Sequence, residues 1–132
     1  MKNATEYLAR VKALILVSPC VVHSETVREE AEGNMGLFRY RLRLRDDSFL
    51  AVFERFDIVE GAVNVTKYSF HWQDSDGNLR KRWDNAPHHS ELPTHPHHVH
   101  VVSDASATPH PPIDLEEVLD LIPQDSPNLR SE

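Results

Sequence analysis

Histidine is concentrated in one part of this 132-residue chain. Six of the nine histidines fall in two groups, His88-His89 and the run from His95 to His100. Imidazole titrates near neutral pH, so two rings on opposite sides of a phosphodiester can act as general base and general acid. An arginine beside them can bind phosphate oxygens. The residues therefore predict metal-independent phosphoryl chemistry, with Arg82 on the phosphate and an acid–base pair formed by His88 and one of His97, His98 or His100.

Metal binding is the alternative chemistry for the same segment. His98 and His100 share one face of an extended chain, and His88, His95 or His97 could complete a site for zinc, nickel or copper, with Asp84 orienting a ligand. The most direct ligand set is His88, His98 and His100, with zinc or nickel as the cofactor. Adjacent histidines point apart, and the Cys/His spacings of structural zinc modules are absent, so we expect no cofactor. A third interpretation is structural, with imidazoles bonding to the backbone of a proline-rich loop.

The elements that must position these residues can be predicted from periodicity. Asn3 with Glu6 has the spacing of a capping box, and apolar residues at helical intervals follow it as far as Pro19. From Val21 onward the period changes to two, which predicts an antiparallel meander of about five strands. Asp114 with Glu117 predicts a short C-terminal helix that Pro123 stops. The fold class is α+β, with both helices packed on one face of the sheet. The later strands are predicted at Met35–Asp46, Ser48–Val59, Ala62–Gln73 and Leu79–Trp83.

Alternation along these strands separates two faces. Phe38, Tyr40, Leu42 and Leu44 would point to the core, while the intervening arginines would point away from it. The same rule places His71, Arg82 and Asp84 on the outer face. If this face binds a substrate phosphate chain, its basic side chains would make the contacts, namely Arg39, Arg41, Arg43, Lys67 and Arg80. The simpler interpretation is a solvated face whose arginines pair with Glu25, Glu29, Glu54 or Asp57.

Composition and length limit the remaining possibilities. A chain of this size forms one domain, which we expect over residues 1–122, with a long His/Pro-rich loop at 85–112 and a flexible polar tail at 123–132. Within the loop, Val99–Ser103 could form one further short strand. The net charge of −7 argues against bulk attraction to nucleic acid, although the middle of the chain is mildly basic. Cys20 is the only cysteine, and we find no signal peptide or membrane-spanning run. We therefore expect a cytoplasmic protein.

Part of the chain resembles a known family. The matching stretches run from Tyr68 to Asp74, through Asp76-Gly77, then from Arg82 to His89 and from Pro96 to His100. They resemble the TumE toxins of prokaryotic toxin–antitoxin systems. Two positions depart from the expected pattern, because Trp83 stands where we expect tyrosine and His95 where we expect an aromatic residue. The resemblance nominates as site residues His71, Arg82, Asp84, Asn85, His88, His97, His98 and His100.

The resemblance also implies a cytoplasmic location, a protein antitoxin encoded nearby as the partner, and growth inhibition when the toxin is unopposed. Ribonuclease action is an analogy with other toxins of this general kind. Three functions therefore stay open: a toxin that is a metal-independent endoribonuclease, a His-rich metal-binding module or metalloenzyme, and a non-catalytic protein-binding domain. An RNA partner and a homo-oligomer are also left open.

Overall fold

A computed structural model describes residues 1–87, 89–103 and 107–126 of the chain. Helix α1 spans Ala4–Val17, and helix α2 spans Leu115–Asp125. Between them lies one antiparallel sheet whose strands follow sequence order from edge to edge. The strands are β1 (Val21–Glu32), β2 (Met35–Leu44), β3 (Phe49–Val59), β4 (Ala62–Gln73), β5 (Leu79–Asp84), β6 (His98–Val101) and β7 (Thr108–Pro109). The α+β prediction is confirmed.

Both helices begin where the capping residues predict. The Asn3 side chain accepts a hydrogen bond from the backbone N–H of Glu6, and Asp114 accepts one from the N–H of Glu117. These bonds satisfy N–H groups that have no partner within the first turn of a helix. The sheet turns also fit their sequences, since Gly61 and Gly77 adopt φ values of +79° and +85°, where a side chain would be strained.

The core lies between one face of the sheet and the two helices. Buried residues of α1 and α2, such as Val11 and Ile122, belong to the same apolar cluster as Phe38, Phe70 and Trp83 from the sheet. Alternation along β2 is as predicted, because Phe38, Tyr40, Leu42 and Leu44 are buried while Arg39, Arg41 and Arg43 are exposed. The opposite face, called the outer face below, carries the polar residues that β2, β4, β5 and β6 turn away from the helices.

The structure differs from the sequence-based expectation at two places in the C-terminal part of the chain. The sheet has seven strands rather than about five, because the segment 85–112, predicted as a long loop with one further short strand possible at Val99–Ser103, contains β6 and β7. Pro123 does not stop α2, which continues to Asp125. Proline removes one backbone donor, but in the last turn the helix loses little, and the N–H of Ser126 still donates to the Ile122 carbonyl at 3.1 Å. Residues 127–132 of the predicted flexible tail lie outside the described residues.

Two further features bear on function and stability. Among the described residues, neither helix is long and apolar enough to cross a membrane. On the core face of β3, the carboxyl group of Glu54 is only 1% exposed and accepts a hydrogen bond from the Tyr7 hydroxyl of α1. Burial and the nearby Asp114 carboxylate raise the pKa of Glu54 to about 7, although the Tyr7 bond acts in the opposite direction.

Candidate functional site

The strand register brings polar residues from three strands into two adjacent rows on the outer face. In one row, Arg82 of β5 lies between His71 of β4 and His100 of β6. In the next row, Asp84 lies between Ser69 and His98. Residues two apart in a strand share a face, so the pairing places His71, Arg82 and His100 beside one another. This confirms that His71 and Arg82 are neighbours on one face.

Asp84 is the centre of this arrangement. Its Oδ2 accepts a hydrogen bond from Arg82 Nε at 2.9 Å, and its Oδ1 accepts one from the backbone N–H of Ala86 at 3.0 Å. His98 Nε2 lies 2.8 Å from Oδ1, and His100 Nε2 lies 3.9 Å from Oδ2. The carboxylate is 5% exposed. Because each oxygen has at least one donor, Asp84 is held in a single orientation towards the two histidines.

Three imidazole rings, those of His89, His98 and His100, form what we call the imidazole cluster. One ligand atom from each ring lies within 4.8 Å of the corresponding atoms of the other two. The ring centroids are 4.8 to 5.6 Å apart, and the planes are steeply inclined to one another. Two strand positions supply His98 and His100, which are each 2% exposed, and the segment before β6 supplies the half-buried His89. Such a set suits either proton transfer or metal binding.

The structure places His89 in the cluster, a residue that was not among the predicted site residues. His88 was predicted as an acid–base residue and as a metal ligand, and it lies outside the described residues. The two residues are adjacent in an irregular segment, so no periodicity indicates which of them turns towards the sheet. Only the fold of the segment over β5 and β6 identifies His89.

Two of the nominated residues lie away from the cluster. His97 precedes His98 in the chain and therefore turns to the core side, where its Nδ1 is 2.9 Å from the Tyr68 hydroxyl and the two rings stack. Burial lowers the pKa of His97, and burial raises the pKa of Tyr68 to about 12. The Asn85 side chain accepts a hydrogen bond from the N–H of Tyr68 and donates one to the Thr66 carbonyl. Both residues therefore have structural contacts in which no cluster residue takes part.

The predicted substrate-binding side chains, four arginines and Lys67, lie on the outer face with one exception. Arg39 and Arg41 stack over the rings of Phe53 and Phe49, with their guanidinium carbons 4.6 and 4.5 Å from the ring centres. Arg43 and Lys67 are also exposed, but they lie in rows far apart along the strands, because Arg43 pairs with Phe49 whereas Lys67 pairs with Arg55. Two of the acidic residues expected to pair with these arginines bond elsewhere, since Glu29 accepts from Lys12 and Tyr40, and Glu54 accepts from Tyr7.

Arg80 is the exception, and its predicted outward orientation is wrong. The register between β4 and β5 shifts after Trp72, so residue 80 is an extra residue in β5 and the alternation reverses there. Arg80 lies over the ring of the buried Trp72 at 5.0 Å and forms an ion pair with Asp46 at 2.9 Å. The Arg80 side chain therefore lies on the core side of the sheet, on the opposite face from the other predicted substrate-binding residues.

Comparison with known proteins gives one match. The model of a family described as Toxin TumE matches residues 10–126, which is most of the chain and includes every described residue of the site. No curated protein and no solved structure matches the sequence. The family match extends well beyond the region of Tyr68 to His100 in which the sequence resemblance is concentrated. The chain therefore belongs to the TumE family, the toxin components of toxin–antitoxin systems.

Proposed function

We propose that this toxin is an endoribonuclease that reacts at the imidazole cluster and binds the RNA backbone along the outer face. One observation carries the proposal: a continuous row across the sheet runs from Arg41 through Ala51, His71 and Arg82 to His100. Arginine side chains at one end of this row can bind phosphates by charge and hydrogen bonding, which requires no base-specific contact. The row leads directly to the titratable groups.

The positions flanking Arg82 suit acid–base catalysis. Strands lie about 4.8 Å apart, so His71 and the imidazole cluster stand roughly 10 Å from each other with Arg82 between them. A phosphate bound to the guanidinium would have an imidazole on each side. One imidazole would take the proton of a ribose 2′-hydroxyl, and the other would protonate the departing 5′-oxygen. The P–O bond to the 2′-oxygen forms as the bond to the 5′-oxygen breaks.

Exposure separates the residues that contact RNA from those that position them. Arg82 is 27% exposed and His89 28% exposed, whereas His98, His100 and Asp84 are almost fully buried. We assign the catalytic contacts to His71, Arg82 and His89. Arg82 binds Asp84 through Nε, and the partly exposed guanidinium is the group that we assign to the phosphate. His98 and Asp84 are positioning residues.

Family membership also implies an antitoxin partner for this chain. We propose that the antitoxin is encoded nearby and that both proteins act in the cytoplasm, where RNA is accessible to the toxin. An antitoxin covering the outer face would prevent RNA from reaching Arg82 and His89. A homo-oligomer stays a prediction from the sequence.

An RNA cleavage assay tests the proposal. Toxin made in a cell-free system is incubated with labelled RNA, and the product ends are identified. Attack by the 2′-hydroxyl leaves a 2′,3′-cyclic phosphate and a 5′-hydroxyl. His71→Ala and His89→Ala are expected to lower the cleavage rate at least about 100-fold. The matched control is His23→Ala, because His23 is exposed on β1 at the opposite edge of the sheet, and its rate should equal that of the wild type.

Each outcome bears on a separate part of the proposal. Intact RNA after incubation with wild-type toxin would overturn the ribonuclease function. Cleavage that persists in EDTA would support the metal-independent chemistry predicted from the sequence. Cleavage that EDTA abolishes and zinc restores would refute that chemistry while keeping the ribonuclease function. Toxicity on induction that survives both histidine substitutions would favour the non-catalytic alternative, in which the toxin acts by binding another protein.

A further inference from the structure

We propose that His89, His98 and His100, with the carboxylate of Asp84, form a binding site for one divalent transition-metal ion of the zinc class. The three imidazoles approach one another to within 4.8 Å at their ligand atoms. In a tetrahedral zinc site with Zn–N bonds of about 2.0–2.1 Å, neighbouring nitrogens lie about 3.4 Å apart. Small side-chain rotations would bring the cluster to that spacing.

The hydrogen bonds of His98 prepare it to be a ligand. Its Nδ1 lies 2.9 Å from the backbone carbonyl oxygen of Pro96, which can only accept, so Nδ1 carries the proton. In a neutral ring the lone pair is then on Nε2, which is the atom that faces Asp84. Histidines that bind metals commonly have this arrangement, in which a backbone carbonyl or carboxylate holds the nitrogen that does not bind the ion.

Asp84 lies beside the ring nitrogens of the cluster. The distance from His98 Nε2 to Asp84 Oδ1 is 2.8 Å. His100 Nε2, at 3.9 Å from the other carboxylate oxygen, adds a further donor atom to the same space. An ion bound here would have both imidazoles and the carboxylate within reach together.

Charge and donor type decide which ions fit. Three imidazoles and one carboxylate favour zinc, cobalt, nickel or copper, whereas magnesium and calcium prefer sets made entirely of oxygen. Arg82 brings a positive charge to Asp84, so the carboxylate is already partly neutralised and the imidazoles must provide most of the affinity. With the carboxylate as the fourth ligand, the protein itself supplies the four positions of a tetrahedral zinc site.

The test of this site measures metal binding alone, so its outcome is separate from that of the cleavage assay. The two proposals share His89, because an imidazole nitrogen that binds an ion cannot also transfer a proton. The full chain is produced without a histidine tag, stripped with EDTA and dialysed against Zn²⁺, and the bound zinc is measured by elemental analysis. A parallel titration with Co²⁺ follows the visible absorption of the ion, whose intensity reports tetrahedral coordination. We expect one ion per chain, an intense Co²⁺ band that zinc displaces, and a melting temperature that rises with zinc concentration.

A pair of variants assigns the ligands. His89→Ala removes a half-buried ligand from an irregular segment, and its zinc affinity is expected to fall at least about tenfold. His95→Ala removes an exposed histidine from the same segment and should bind zinc like the wild type. Circular dichroism of both metal-free proteins checks that they are folded. Zinc well below one ion per chain for the wild type, or equal losses in the two variants, would overturn the site and leave edge-to-face packing as the role of the three rings.

Discussion

Replacement of Glu54 by glutamine is expected to remove a pH dependence from the stability of the protein. Glu54 lies on the core face of β3 at 1% exposure, where the Tyr7 hydroxyl donates to it and the Asp114 carboxylate is nearby. An ionised carboxylate is poorly solvated in this position and is repelled by Asp114. The folded protein therefore favours the protonated form of Glu54, and glutamine reproduces its size and its neutral acceptor oxygen.

The expected magnitude follows from the pKa. Burial raises the pKa of Glu54 from 4.5 to about 7 in the folded protein. The proton is therefore bound more tightly in the folded state, and its contribution to stability is complete below pH 4.5 and is lost as pH rises to and through about 7. A difference of about 2.5 units, at 1.36 kcal/mol per unit, corresponds to about 3 kcal/mol of unfolding free energy. Glu54→Gln has no group to ionise and avoids this loss.

Urea unfolding at a series of pH values measures the effect, with the fluorescence of the buried Trp72 and Trp83 as the signal. The unfolding free energy of Glu54→Gln minus that of the wild type should increase by about 3 kcal/mol between pH 4 and pH 8. The control is Glu25→Gln, because Glu25 is exposed on β1. Its difference from the wild type should stay flat. Parallel pH curves for Glu54→Gln and the wild type would refute the reasoning about the buried carboxyl group.

Three further predictions concern the fold. Burial alone would raise the pKa of Asp46, but hydrogen bonds from the Ser48 hydroxyl and Arg80 lower it to about 2. The stability that ionised Asp46 contributes should therefore be lost as pH falls from about 4 through 2. Asp46→Asn should flatten the acid side of the urea-unfolding profile. Gly36→Ala would place Cβ 2.7 Å from the Phe56 ring and should cost about 1–3 kcal/mol in urea unfolding, so unchanged stability would contradict the packing. Ile122→Ala should leave a cavity under α2 and lower the unfolding free energy by about 2–5 kcal/mol, which a calorimetric melt would check.

The parts of the fold that follow regular periodicity could be predicted from the sequence. The alternation of Phe38, Tyr40 and the arginines in β2 identifies both faces of the sheet, and Asn3 and Asp114 mark the first turns of the two helices. These signals are local, because each depends on residues a few positions apart. The neighbouring positions of His71 and Arg82 also follow from alternation once a hairpin joins β4 to β5.

The remaining features depend on contacts between residues distant in the chain. β6 overlaps the possible short strand at Val99–Ser103, whereas β7 has only two residues and forms through pairing with β6. The alternation of faces reverses at Arg80 because of a bulge, and no residue pattern between Gly77 and Trp83 predicts that bulge. The position of His89 in the cluster depends on the path of the irregular segment before β6.

The sequential strand order determines which parts of the outer face can form first during synthesis of the chain. Every strand pairs with its neighbour along the chain, so β1 to β4 can assemble while later residues are still being synthesised. The imidazole cluster needs His98 and His100 from β6, which are made after those four strands. A nascent chain therefore carries the arginine-bearing face before it carries the imidazole cluster. An antitoxin that recognised this face could bind it during translation, before His98 and His100 are in place.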